Sequence, residues 1–374
     1  MIRKITSCFV SLIVCWLLPH AGKAQAVDTL STFTISGYVD AYYAHYTDDS
    51  TGKFQKFPTV SPRNDQLGLN TAQLMFDYKS DKVRGTAAFH FGDISSATWS
   101  PTYPYIMEAH AGIKLFKNMW LDAGFFRTHF GTEFLLPVEN ITSSVAVGTY
   151  YEPYYEAGAR LSYDATSKLE INLFLLNGYG IFEDNNKKKS FGMGVTYVLN
   201  DKLGIGYTNY IGNDSPDSIK ISQTRIAQNL FLNYQRKKIK VQLGADYFIQ
   251  QNSNIATHNA DAYMFSALAT LRYQAFKKAA VYARGEMFND PDGFVSGVFT
   301  DAAGSYTGYK LWGVTAGAEY KPTENSYIRI ESRRLQMQQD EYVFNYNGEA
   351  RNYRWEFMVN MGVTFDLLKS LKTR

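Results

Sequence analysis

One device recurs from end to end of this chain: a run of roughly ten residues alternating apolar and polar, then a polar connector, then another such run. Between 33 and 43, Phe33, Ile35, Val39 and Ala41 share one parity, and Thr34, Ser36 and Asp40 the other. Val83, Gly85, Ala87, Phe89 and Phe91 stand against Arg84, Thr86, Ala88 and His90, and Ile239, Val241, Leu243, Ala245 and Tyr247 against Lys240, Gln242, Gly244 and Asp246. The last run sets Trp355, Phe357, Val359, Met361, Val363 and Phe365 against Glu356, Met358, Asn360, Gly362 and Thr364. Period two is the repeat of a strand, so each run predicts a strand with one greasy face.

The connectors alternate in length. Short turns fall near 80–81, 117–118, 165–166, 200–201, 236–237, 276–277 and 323–324; long polar segments cover 47–66, 93–104, 128–153, 183–189, 213–223, 251–259, 289–307 and 338–352. Joined in order they imply about sixteen strands, with fourteen or eighteen as alternatives, and both termini at the short-turn end. A soluble sandwich or propeller also has many short strands but no reason to keep one end short and the other long. In hydrocarbon every backbone N–H and C=O must be paired internally, which strands achieve only in a closed sheet. The expected fold class is therefore all-β: a transmembrane antiparallel β-barrel with short periplasmic turns and long extracellular loops. The 28 Tyr, 25 Phe and 28 Gly suit strands ringed by interfacial aromatics. Beyond the first residues no segment approaches eighteen consecutive apolar positions, so no transmembrane helix is expected.

The beginning reads differently. Arg3 and Lys4 precede an apolar stretch from Cys8 to Leu18 and then Ala24-Gln25-Ala26. Basic, apolar and small, in that order, describe a secretory signal cleaved after residue 26. The expected organisation is a signal peptide over 1–26 and one barrel domain over 27–374. An amino-terminal plug has no room before the first strand. Cys8 and Cys15 both lie in the signal, so disulfides, zinc-thiolate sites and cysteine nucleophiles are excluded from the mature chain. The formal charge of +3 is accounted for by Arg3, Lys4 and Lys23, leaving a near-neutral chain with nothing to suggest nucleic-acid binding.

If lipid takes the apolar parity, the polar parity faces the interior. That places Arg84, Lys114, Arg160, Lys240, Arg272, Arg284, Arg329 and Arg333 on the inner wall, with Glu108, Asp122, Glu170, Asp246, Glu286, Glu319, Glu331 and Glu356. Two readings follow: a charged pore wall that steers solutes by its potential, or charges that only pair with cross-strand neighbours, as Arg284 with Glu286.

Catalytic patterns are missing. His45, His90, His110, His129 and His258 show no metal-ligand spacing, and no H-E-x-x-H occurs. Only His90 and His110, on the third and fourth strands, could approach one another. His90-Phe91-Gly92-Asp93-Ile94-Ser95 does not match an outer-membrane phospholipase motif, and Asn289-Asp290-Pro291-Asp292-Gly293 reads as a turn rather than a calcium loop. No cofactor and no enzymatic activity are expected.

Several segments resemble the OmpL-like outer-membrane β-barrel porins. They are Ser36-Gly37-Tyr38-Val39-Asp40-Ala41-Tyr42-Tyr43, Leu69-Asn70-Thr71-Ala72-Gln73-Leu74, Met107-Glu108-Ala109-His110-Ala111, the run from Asp122 to Glu133, and Leu175-Leu176-Asn177-Gly178-Tyr179-Gly180. The resemblance covers nearly all of the mature chain. It implies a pore in the outer-membrane lipid, inserted by the barrel-assembly machinery and without catalytic residues. The expected function is passive diffusion of small hydrophilic solutes through a water-filled, charge-lined lumen; a loop-occluded barrel with a binding or structural role is the alternative. In sixteen-stranded porins the third long loop folds inward, so Glu133 and Glu139 are candidates for a constriction; the other reading of 128–153 is an external flap. Such porins are often homotrimers, and that assembly is left open.

Overall fold

The computed structural model describes residues 30–49, 53–57, 60–338 and 341–372. The signal peptide and its cleavage site lie outside these residues. Sixteen antiparallel strands close into one barrel. They are β1 (Leu30–Tyr46), β2 (Gln66–Lys79), β3 (Val83–Phe91), β4 (Ile106–Phe116), β5 (Met119–Arg127), β6 (Tyr155–Asp164), β7 (Leu169–Leu176) and β8 (Ser190–Asn200). The second half comprises β9 (Leu203–Asn213), β10 (Thr224–Arg236), β11 (Ile239–Gln250), β12 (Ala262–Tyr273), β13 (Ala279–Asn289), β14 (Lys310–Tyr320), β15 (Ser326–Met337) and β16 (Tyr353–Lys372). Each strand pairs with its sequence neighbours, and β1 closes on β16 from Leu30↔Lys372 to Tyr46↔Glu356. No edge is left open, which is what hydrocarbon requires of a sheet. All seven short turns and all eight long loops fall where the connector lengths put them.

The outer surface is banded. At the loop end Tyr43, Phe91, Tyr105, Phe191, Tyr263, Trp312 and Phe357 are exposed, and at the turn end Phe116, Tyr163, Tyr197, Tyr273, Phe276 and Tyr320. Leu243, Leu271, Val281, Val314, Ile330, Val359 and Met361 fill the belt between them. Two aromatic girdles around an aliphatic belt match the two interfaces and core of a bilayer. Among the described residues no helix is long and apolar enough to cross a membrane; here the strands do so. The helices are short, α1 (Asp93–Thr98) and α2 (Val147–Tyr150), both in loops.

Strict alternation breaks at bulges. The β1–β2 register passes from Asp40↔Thr71 to Ala41↔Leu69, leaving Asn70 unpaired, so Asn70 and Thr71 both turn inward and are buried. The amide of Asn70 donates to Asp40 Oδ1 (2.6 Å), and its Oδ1 accepts Ser61 N–H (2.6 Å). One extra residue thus pins the first long loop to the inner wall.

Candidate pore and its inward-folded loop

The third long loop, residues 128–154 (L3), passes from β5 to β6 through the barrel interior. Leu135, Leu136, Thr142, Ser143, Val145 and Val147 are all buried. Leu135, Leu136 and Val145 pack with Tyr38, Met107 and Tyr327, while Phe130 and Val147 pack with Phe248, Met264 and Phe288. Full burial contributes about 1.5–3 kcal/mol per large apolar side chain. The loop therefore touches both sides of the barrel.

Its polar ties run mainly to β13–β15. A loop inside a barrel lacks a ladder for its backbone, and each buried N–H or C=O needs a partner. Glu331 accepts the N–H groups of Ser143 (2.7 Å) and Ser144 (3.0 Å), and Glu286 accepts that of Val147 (2.7 Å). Arg329 donates to the carbonyls of Pro137 (2.7 Å), Thr142 (3.0 Å) and Asn140 (3.0 Å). Arg284 donates to Glu133 (3.0 Å), Thr142 Oγ1 (2.9 Å) and the Ser144 carbonyl (2.7 Å). These ties end a chain of charges, Arg354–Glu356–Arg333–Glu286–Arg284–Glu133, with N–O separations of 2.7, 3.4, 2.8, 3.4 and 3.0 Å. Buried ions are tolerable only when paired; every member of this chain is, and Arg284 Nε is the one guanidinium nitrogen of Arg284 that makes no hydrogen bond.

The structure thus divides the predicted wall charges. Arg284, Glu286, Arg329, Glu331, Arg333 and Glu356 face the interior but are buried and bound to L3 or to one another. Asp246 is buried too, accepting from Asn229 (2.7 Å) and Ser266. Lys114 stands at the turn rim, paired with Asp81 at 2.9 Å. Glu319 binds Arg272 (2.7 Å) and Arg329 (2.8 Å), and Lys240 is exposed near the turns. Of the two loop acids, Glu133 is buried, whereas Glu139 is exposed and accepts from Arg127 (2.6 Å).

On the opposite side a single rung carries Arg84↔Gly112↔Asp122↔Arg160 across β3 to β6. Arg84 Nε donates to Asp122 at 2.7 Å, and Arg160 Nε reaches the same carboxylate at 3.3 Å. Arg84 must cross β4 to do so, and Gly112 permits it: a Cβ there would lie 2.1 Å from Asp122 Oδ1 and 3.1 Å from Arg84 Cγ. Gly112→Val is expected to break the Arg84–Asp122 bond and lower stability by about 1–3 kcal/mol through overpacking, read as an earlier midpoint in urea unfolding from vesicles.

Beside L3 on this side three cavities follow one another. The outermost, about 300 Å³, is walled by Tyr150, Tyr151, Tyr154, Tyr155 and Tyr179 at the loop end. It shares Glu152, Pro153 and Tyr154 with a middle cavity of about 240 Å³ that also holds Glu108, Glu133 and Arg160. The middle one shares Arg127, Thr128, Phe134 and Arg160 with a third of about 440 Å³, which contains Arg84, Trp120, Glu170 and Asn172 near the turns. Arg127 and the tyrosines escaped the sequence reading. Arg127 has the lipid-facing parity of β5, but the chain turns inward at this last strand residue; Tyr150, Tyr151, Tyr154 and Tyr179 belong to loops, where period two does not apply, and Tyr155 is the first residue of β6.

Other sequence expectations have plain placements. The register puts His110 opposite Thr86, not His90; His90 packs edge-on against Trp99 and His110 lies 3.6 Å from Glu108. Among the described residues no group of three or more His, Cys, Asp or Glu could hold a metal ion. Segment 289–293 is a turn: Gly293 has φ 64, and the Asp290 carboxylate accepts the N–H groups of Val295 (3.0 Å) and Ser296 (2.8 Å).

Glu152 is expected to make the docking of L3 depend on pH. Burial, with Asp246 and Glu133 nearby, pushes its pKa well above the usual carboxylate value. A raised folded-state pKa means that its contribution to holding L3 is complete below the ordinary glutamate pKa and is lost as pH rises through the raised value. Protease cleavage within L3 should therefore grow with pH over that window, and Glu152→Gln should flatten the dependence. An unchanged profile in the variant would remove Glu152 as the cause.

A closed sixteen-stranded barrel with a lipid-facing girdle pattern and a loop folded into its interior defines an outer-membrane porin-type protein. Comparison with known proteins agrees. The family model described as "Putative beta-barrel porin-2, OmpL-like" matches residues 32–365, and the chain belongs to that family. No curated protein matches it by sequence. The fold is shared with the anion-selective porin from Comamonas acidovorans, at 10% identity and TM-score 0.64 over 90% of this chain and 100% of that one. It is shared with the trimer form of in-vitro folded OmpT, an outer membrane protein of Vibrio cholerae (11%, TM-score 0.59, 90% and 99%). Salmonella typhi OmpF in complex with daunomycin is a third similar structure (14%, TM-score 0.54, 89% and 97%).

Proposed function

We propose that the barrel is a narrow channel for passive diffusion of small hydrophilic solutes, with residues 1–26 serving as its export signal. The observation that carries this reading is the run of three cavities with shared lining residues beside L3, from the tyrosines at the loop end to Arg84 near the turns. In this reading Arg84, Arg127, Arg160, Glu108 and Glu170 line the path, Glu139 sets its width through Arg127, and the buried wall charges hold L3 in place. Fixed charges beside a narrow aqueous path set its ion preference. Arg160→Gln should accordingly move the zero-current potential in a salt gradient toward cation preference.

Purified protein should give discrete conductance steps in planar bilayers and admit small sugars in liposome swelling. Failure of both would favour the second reading, a loop-occluded barrel with a binding or structural role, which the contact of L3 with both sides of the barrel supports. A homotrimer is part of the first reading, drawn from the trimer form among the similar structures; a monomer mass in detergent would remove it.

A further inference from the structure

A fourth cavity, about 370 Å³, lies at the turn end with the L3 tip, 138–141, along one side. Its lining is predominantly basic: Lys237, Lys238, Lys240, Arg272, Lys277 and Lys321 surround it, with Arg329 deeper. Glu139 and Glu319 are its only lining carboxylates, and both are engaged, Glu139 by Arg127 and Glu319 by Arg272 and Arg329. Among the described residues none of the five lysines has an ion-pair partner within the chain, and Lys237, Lys238, Lys240 and Lys277 are exposed.

The register sharpens this. Lys240 on β11 stands directly opposite Arg272 on β12. Like charges directly opposite across a sheet are destabilising. Arg272 is compensated by Glu319 at 2.7 Å, whereas Lys240 has no such ion pair among the described residues, and a position that breaks a local rule in this way is where function is expected. A counter-charge from solution would supply what the chain does not.

We infer that this vestibule binds small polyvalent oxyanions of the phosphate and oligophosphate class at the turn-side mouth of the channel. The lysines, as mobile point charges with three donors each, suit an anion that exchanges rather than one held in a fixed fork. The inference rests on the channel reading and deepens it: lysines without an internal counter-charge at this mouth would draw anions to the turn-side end of the route.

The probe is pyrophosphate. Calorimetry on the full-length barrel in detergent should show binding that the triple variant Lys237→Gln, Lys240→Gln, Lys321→Gln weakens on the order of tenfold, while Lys187→Gln with Lys188→Gln on an external loop leaves it unchanged. In bilayers, pyrophosphate added on the turn side should reduce current at lower concentration than on the loop side, and the triple variant should lose that asymmetry. No binding by the wild type, or equal binding by a triple variant that retains the β-rich circular dichroism of the folded barrel, overturns the site. Binding without any conductance would uphold the site and count against the channel reading, so the two fail separately.

Discussion

Arg284→Met is expected to release L3 and raise unitary conductance roughly severalfold, the largest functional change a single side chain here should produce. Arg284 is among the largest fully buried side chains and sits where the wall network meets the loop, donating to Glu133, Thr142, Ser144 and Glu286. Removing one partner of a buried pair leaves the other charge stranded, at a cost of about 3–5 kcal/mol. Glu286 keeps Arg333 as a partner at 2.8 Å, but no other ion pair to Glu133 is present among the described residues. The stranded group is thus on the loop. The penalty falls on L3 docking more than on the ladders of the wall, because segments open locally when their own contacts are the weak ones. Single-channel recording together with limited proteolysis within 128–154 tests this. A variant with wild-type conductance and a protease-resistant loop would show that the apolar contacts alone hold L3. Arg284→Lys should be intermediate, since a lysine lacks the fork that reaches several acceptors at once.

Met361→Arg is expected to cost about 2–4 kcal/mol of barrel stability, the figure for a basic residue at the bilayer midplane. Met361 lies on β16 in the belt between the girdles, opposite Ala41 and Ile328, and is 56% exposed in the structure. That exposure is to lipid, where a guanidinium has no water and no partner. Trp355→Arg at the loop-end girdle should cost about 0–1 kcal/mol, because an interfacial side chain can reach water. Urea titration in vesicles compares the two. Equal losses would mean that the belt is not the hydrocarbon-spanning zone.

Much of this protein was legible in one dimension. The parity of 355–365 named the lipid face of β16, and Trp355, Phe357, Val359, Met361, Val363 and Phe365 are all exposed, while Glu356, Met358 and Asn360 are buried. Connector lengths gave the strand count because turn and loop ends of a barrel meet different surroundings. Asn70 breaks the parity: a bulge depends on how β1 and β2 register, and no alternation along one strand marks it.

The interior was only half legible. Sequence parity placed Arg284, Glu286, Arg329, Glu331 and Arg333 on the inner wall but left open whether water or other side chains would meet them. The deciding partners, Ser143, Ser144, Thr142 and Val147, lie well over a hundred residues away in a loop without periodicity. By itself the sequence determined the barrel, because lipid imposes a repeat on every strand and a repeat can be read locally. Only the tertiary structure decided how much of the lumen remains. That depends on where L3 docks, and docking depends on pairing distant backbone amides with buried charges, which leaves no local pattern in the sequence.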